Sequence, residues 1–422
     1  MRLRGCRGER PLAPTGNHLG VQKITDSSLD ENLLEFCTVS RGAQRFMMRV
    51  MQELLTYLGK HTAAILRDIE TLVRLESPSK DAARINLVQD AISAMLEGMG
   101  TAERHHHELG DVLHVQIAGS GAGRTVLLAH ADTVYSVGAW DKLWRLEGDR
   151  AFGPGAYDMK AGIVQAIWAL KALAANGMTP TCTVDLLVTP DEEIASHAGR
   201  PYIEAIAQSA NAVLVLEPPH LDGALKIARK GVGGYRVNVT GKAAHQGTEP
   251  ENGRNAIVSA THFINEVVRL QNLSLGTTLG PNVMHGGTVM NVVADSVYLE
   301  VDLRVWSQAE ADRVDAAIRT IQPLEGTSYE ILDGLNRPPM EPTPESLKLL
   351  ETAQRIANGF GFNPGAARVG GGSDGNFTAT IAPTLDGFGA FGAAAHQRNL
   401  EHIHVPSLAP RAALIAGMLL SI

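Results

Sequence analysis

The stretch VLLAHADTVY, residues 126–135, sets an imidazole and a carboxylate two positions apart at the end of an apolar run. Side chains two apart on a strand point the same way, so His130 and Asp132 leave the strand end together. Four further places carry side chains that bind metals or move protons. They are Asp158 in GAYDMKAG, the pair Glu192 and Glu193 in TPDEE, Glu217 in LVLEPP, and His396 in FGAAAHQRNLEH. Taken singly, each has a plain explanation. A histidine at a strand end is more often hydrogen-bonded and structural, adjacent acids after a strand commonly open a helix and satisfy its dipole, and Asp158 would cap the helix after it. Glu217 is harder to place that way, because it follows AVLVL directly, where an unpaired charge is costly. Converging on one sheet edge, the acids Asp158, Glu192, Glu193 and Glu217 and the two imidazoles would repel and desolvate one another unless a cation held them. Histidine and carboxylate without thiolate suit a divalent ion such as Zn²⁺ in a catalytic site. Five donors with one shared carboxylate would hold two ions about 3.5–4 Å apart, and the acid left over suits a general base acting on water.

Open α/β sheets carry their chemistry just outside the carboxyl ends of their strands, and the text between these motifs spells such a sheet. RTVLLAHADTV, CTVDLLVTPDEE and NAVLVLEPP read as strands; KAGIVQAIWALKALAANG reads as a helix closed by Gly177, and RPYIEAIAQSA as one with Pro201 in its first turn. That alternation predicts an α/β fold, a mostly parallel sheet covered by helices. From GGYRVNVTGKAAH the pattern changes to alternating strands around two helices, GRNAIVSATHFINEVVRLQ and EADRVDAAIRTIQ, an α+β insert. The proline-rich NRPPMEPTPES marks the return. We expect a catalytic domain over residues 51–227 and 341–422, interrupted by a lid at 228–340, with residues 1–50 an arginine-rich extension, disordered or assigned from too early a start codon. Helical text begins at Met51, with ELLTYLGKHTAAILRDIETLVRL at helical spacing.

Composition narrows the partners. A formal net charge of −8 over 422 residues argues against nucleic acid or an anionic membrane. Three cysteines without a short-spaced pair argue against a disulfide framework or a thiolate metal site, and fit a reducing, cytoplasmic setting. No apolar run is long enough to span a membrane, and the opening residues lack the apolar core of a secretory signal.

Eight segments, in order, carry a family resemblance that runs from about residue 55 to the C-terminus: HADTV, GPGAYDMKAG, TPDEE, LEP, GKAAHQGTEPENGRNAI, NVVADSVYLEVDLRV, GGGSDG and GAAAHQRNLEHIHV. The set is similar to the di-zinc family of carboxypeptidase G, acetylornithine deacetylase and succinyl-diaminopimelate desuccinylase, and is closest to its glutamate-carboxypeptidase branch. The resemblance implies a zinc-exopeptidase-like catalytic domain with an inserted lid that dimerises. It implies two Zn²⁺ per subunit, with Co²⁺ or Mn²⁺ suiting the same donors. His130 and Glu217 would bind one ion, Glu193 and His396 the other, and Asp158 both. Glu192 would be the general base, and Asp132 would hold the ring of His130. His245 would stabilise the oxyanion, often across a dimer. Asn291, Arg304, Gly371 and Gly372 would grip the substrate's carboxylate, although Arg304 could equally pair with Asp302 or Glu300. The implied activity is hydrolysis of an amide or peptide bond next to a free carboxylate, in an N-acyl amino acid or short peptide. The alternatives are an N-acetyl or N-succinyl deacylase and a catalytically silent dimeric scaffold. Gln397-Arg398-Asn399 depart from the family's usual wording and leave the adjoining substrate wall open. The run His105-His106-His107 is set aside as an exposed connection, and His402 and His404 as structural.

Overall fold

Eight strands build the larger sheet of the computed structural model, which describes residues 48–422. They are β1 (Thr101–His105), β2 (Val112–Ile117), β3 (Arg124–His130), β6 (Thr183–Thr189), β7 (Ala212–Val215), β8 (Leu225–Arg229), β13 (Ala366–Val369) and β14 (Thr384–Asp386). Their spatial order is β1-β2-β6-β3-β7-β14-β8-β13. The central pairs β6–β3, β3–β7 and β7–β14 run parallel, and the β1–β2 hairpin closes one edge antiparallel. In β3 every residue after Arg124 is buried, and β7 is buried throughout, as expected of parallel strands covered on both faces. The expected α/β class is thus the one observed.

Helix Ala161–Ala175 is apolar almost all round and correspondingly buried, with Leu408–Leu419 packed against it. It ends at Gly177, whose φ of 65° fits a left-handed turn; the amides of Gly177 and Met178 return to the carbonyls of Ala174 and Leu173 at 3.0 and 2.9 Å. The helical text after Met51 is not one helix. It divides at His61, whose φ of −103° and ψ of 9° leave the helical basin, into helical residues 48–60 and the helix Thr62–Arg74.

A second, antiparallel sheet is built by β9 (Gly231–Thr240), β10 (Thr278–Gly286), β11 (Ser296–Val305) and β12 (Ser328–Arg337), in the order β10-β11-β9-β12. Its strands alternate buried and exposed residues, so only one face is covered, by helices Ala256–Arg269 and Gln308–Arg319. It has its own apolar cluster around Tyr235, Phe263 and Leu299. A small sheet of β4 (Arg145–Glu147), β5 (Arg150–Phe152), β15 (Gly392–Ala393) and β16 (His402–His404) carries the chain away from the loop holding His396. Of the extension expected over residues 1–50, all but the last three positions lie outside the described residues. Among the described residues no helix is long and apolar enough to cross a membrane.

Candidate metal centre

Each strand that stops at the carboxyl edge delivers one polar side chain or pair. His130 is the last residue of β3; Glu192 and Glu193 form a single helical turn just after β6; Glu217 lies two residues past β7. Asp158 comes from an irregular turn, Ala156–Lys160, in which its φ of −119° and ψ of 92° are not helical. It therefore does not cap the following helix, whose first flanking residue is Lys160. His396 projects from a loop with φ of 62°.

These side chains meet. Nε2 of His130 lies 3.3 Å from Oδ1 of Asp158 and 3.5 Å from Oε1 of Glu217. The other oxygen of Asp158 lies 3.3 Å from Nε2 of His396, which is also 3.3 Å from Oε1 of Glu193. Asp158 thus turns one oxygen toward each histidine. His130–Asp158–Glu217 and Asp158–Glu193–His396 each bring one ligand atom per residue within 4.8 Å of one another. On the far side of His130, Nδ1 is 3.3 Å from Oδ1 of Asp132, which is buried. The Asp132 carboxylate also accepts the backbone N–H groups of Glu192 and Glu193 at 3.1 and 3.2 Å and the Ser79 hydroxyl at 2.7 Å. One carboxylate therefore orients both the ring on β3 and the acidic turn after β6.

The charges do not balance locally. Burial disfavours the protonated His130 ring, yet hydrogen bonds to Asp132, Asp158 and Glu217 hold it well above the ordinary imidazole range. Hydrogen bonds to Asp158 and Glu193 raise His396 to about 11. Burial works against the charge of Asp158 too, but the two imidazoles hold its carboxyl well below the usual range. Three carboxylates facing two imidazoles mark a place short of positive charge. A divalent cation would supply that charge, and the nitrogen and oxygen donors fit one.

Glu192 stands beside this group. Burial pushes its carboxyl well above the usual range, against the pull of the Arg337 guanidinium, which donates to Oε1 of Glu192 at 3.0 Å. A raised carboxyl suits an acid that must take up and release a proton near neutrality.

A cavity of about 660 Å³ opens over the cluster. Arg304, Gly371 and Gly372 line it, while His245 and Asn291 do not. Those two residues lie together on exposed loops of the smaller sheet, where Gln246 N–H donates to the Asn291 carbonyl at 2.9 Å and Thr248 Oγ1 lies 2.7 Å from His245 Nδ1. Arg304 makes the pairing that competed with the substrate role, donating to Asp302 at 3.0–3.2 Å. The carbonyls of Gly371 and Gly372 accept from Nη1 of Arg229 at 3.2 and 2.9 Å. A Cβ on Gly372 would come within 2.8 Å of Val232, so the loop's close approach to β9 requires glycine there.

Four residues of the site were not found by motif. Arg337 ties Glu192 to Asp374, 3.3 Å away, and the proline-rich NRPPM disguised it as punctuation; a charge set beside prolines, as at Glu217, was the available signal. Arg229 bonds both Glu217 at 3.3 Å and Asp386 at 2.6 Å. Lys226 is nearly buried in the cavity wall. Glu401 is fully buried and accepts the backbone N–H groups of Tyr157 and Asp158 at 2.9 and 3.1 Å and the Tyr135 hydroxyl at 2.7 Å, fixing the turn that presents Asp158.

Comparison with known proteins identifies the family. Residues 126–421 match the model of peptidase family M20/M25/M40. Carboxypeptidase G2 of Pseudomonas sp. (strain RS-16) is 28% identical over 373 residues, covering 85% of this chain and 89% of that protein. A succinyl-diaminopimelate desuccinylase of Delftia acidovorans is 27% identical over 369 residues, covering 81% and 93%. In fold, an aminopeptidase PepT from Bacillus cereus superposes with a TM-score of 0.72 at 21% identity, covering 85% of this chain and 98% of that one. An M20 family metallo-carboxypeptidase from Sulfolobus solfataricus superposes with 0.67 at 16%, covering 84% and 98%.

Proposed function

Because this chain belongs to peptidase family M20/M25/M40 and is a metal-dependent hydrolase, we propose that it uses two zinc ions to cleave an amide or peptide bond next to a free carboxylate. In this reading His130 and Glu217 would hold one ion, Glu193 and His396 the other, and Asp158 both. The observation that carries it is the pairing of two three-donor groups that share only Asp158, beneath a cavity walled by the cations Lys226, Arg229, Arg304 and Arg337. An acidic donor cluster under a cationic wall suits an anionic substrate whose scissile carbonyl lies over the donors. When bound, the ions would polarise that carbonyl and make the attacking water more acidic.

The protein's own residues do the rest. Glu192 takes the proton from the water and returns it to the departing amine. Asp132 keeps the His130 ring and the Glu192–Glu193 turn in register. Arg304, released from Asp302, and the Gly371–Gly372 loop receive the substrate's carboxylate; a planar guanidinium suits that bidentate grip. His245 and Asn291 act from a second copy of the chain, with His245 donating to the developing oxyanion. Supporting that assembly, exposed Ile257, Val258, Met284, Val289 and Met290 lie in the same part of the chain as these two residues. The preferred substrate is a short peptide or N-acyl amino acid cut as a glutamate carboxypeptidase would cut it. Removal of an acetyl or succinyl group is the second reading, favoured by the similarity to a desuccinylase.

A hydrolysis screen of N-acyl amino acids and dipeptides, with and without a chelator, tests the proposal. We expect chelator-sensitive release of the amine from substrates with a free carboxylate beside the scissile bond, and little from their amidated counterparts. Equal turnover of both would remove the carboxylate from recognition.

A further inference from the structure

We propose that Glu103, His105 and His114, on the outer hairpin of the larger sheet, form a separate binding site for one transition cation of the Zn²⁺, Co²⁺ or Ni²⁺ type. The site shares no residue with the carboxyl-edge cluster and is independent of the activity proposed above.

The β1–β2 register sets Glu103 directly opposite His114. His105 lies two residues beyond Glu103 on the same strand, and therefore on the same face. One donor atom from each of the three lies within 4.8 Å of the others, and Nδ1 of His105 is 3.9 Å from Oε1 of Glu103. The histidine run that reads as an exposed connection is divided by this register: His105 ends β1, while His106 lies beyond the strand.

Both rings are held in place by other residues. Nε2 of His114 is 2.8 Å from Oδ1 of Asp185, a carboxylate with no solvent exposure. Arg124 and Gln116 anchor that same carboxylate at 2.7 and 3.1 Å. An imidazole that donates Nε2–H to a fixed carboxylate carries its lone pair on Nδ1, the arrangement by which proteins orient a metal-binding histidine. The ring of His105 stacks on Tyr202, with centroids 4.6 Å apart at 25°. The third donor, Glu103, is two-thirds exposed and free to swing inward. Two braced imidazoles and one mobile carboxylate leave coordination positions for water. Imidazole donors favour transition ions over Mg²⁺ or Ca²⁺, which prefer oxygen alone. Occupancy would clip β1, an edge strand with a neighbour on one side only, to β2.

The test is a calorimetric titration of the full chain, already carrying its catalytic metal, with Zn²⁺ and separately with Mg²⁺, alongside a metal count by mass spectrometry. We expect one further Zn²⁺ equivalent and no Mg²⁺ event at the same concentration. His105→Ala and Glu103→Gln should each weaken the added equivalent at least about tenfold, while hydrolysis stays at the wild-type rate. His106→Ala, whose ring instead lies 2.9 Å from Asp111, should bind like wild type. Absence of the extra equivalent, unchanged binding in both variants, or its loss in His106→Ala would overturn the assignment. Should His105→Ala fail to fold, Glu103→Gln at its exposed position decides alone.

Discussion

The carboxyl edge of the larger sheet and the loops of the smaller sheet hold their polar residues in opposite ways. At the carboxyl edge, donors spanning 266 positions of sequence, His130 to His396, are drawn together by strand ends and turns, and all are buried or partly buried except His396, whose side chain is half exposed. On the smaller sheet, His245 and Asn291 are exposed and outside the cavity that Arg304 of the same sheet lines. Parallel strands must end on one side, so their topology gathers side chains within a single chain. An antiparallel sheet covered on one face offers no such focus, and its loop residues reach a cleft only through motion or a second subunit.

The largest effect should come from the gathered side. Glu192→Gln keeps the shape of the buried acid but cannot accept a proton, and should lower kcat by about 10²–10⁴-fold with the metal content unchanged. Wild-type turnover in that variant would take Glu192 out of the mechanism. On the other side, His245→Ala should cost about 10²–10³-fold, mainly in kcat. If the residue acts across two subunits, mixing His245→Ala with Glu192→Gln should restore activity, because hybrid dimers hold one complete site. No recovery in hybrids verified by mass would place His245 in its own chain's site, or in none.

The smallest effect separates the cluster from an ordinary buried acid. Asp185, at the amino end of β6, has all its partners within the protein: Arg124, His114 and Gln116. Burial opposes its charge, but those bonds hold its carboxyl below the usual range. A depressed folded value means that the stabilisation is fully present above the unfolded value, about 3.9, and is lost as pH falls through the folded one. Asp185→Asn should therefore lower stability by about 1–3 kcal/mol at neutral pH, and the difference from wild type should shrink on acidification. Denaturant titrations at several pH values measure it; a gap that grows toward low pH would reverse the sign.

The carboxyl edge was legible because its residues end apolar runs. Val126 to Ala129 and Ala212 to Leu216 require burial, so His130 and Glu217 stand out against them. Arg337 and Glu401 were illegible because their meaning arises from partners far along the chain: Arg337 bonds Glu192 across 145 positions, and Glu401 bonds Asp158 across 243. His105 shows the same limit at short range. A histidine triplet hides the strand alternation, and only the pairing with β2 reveals which ring faces His114.

Metal content read together with turnover tests the central claim most directly. Wild-type protein should hold two ions of the carboxyl-edge cluster per chain, and Asp158→Ala, which removes the one carboxylate facing both histidines, should lose both ions and the activity together. A variant that keeps two ions and wild-type turnover would contradict the shared-carboxylate centre.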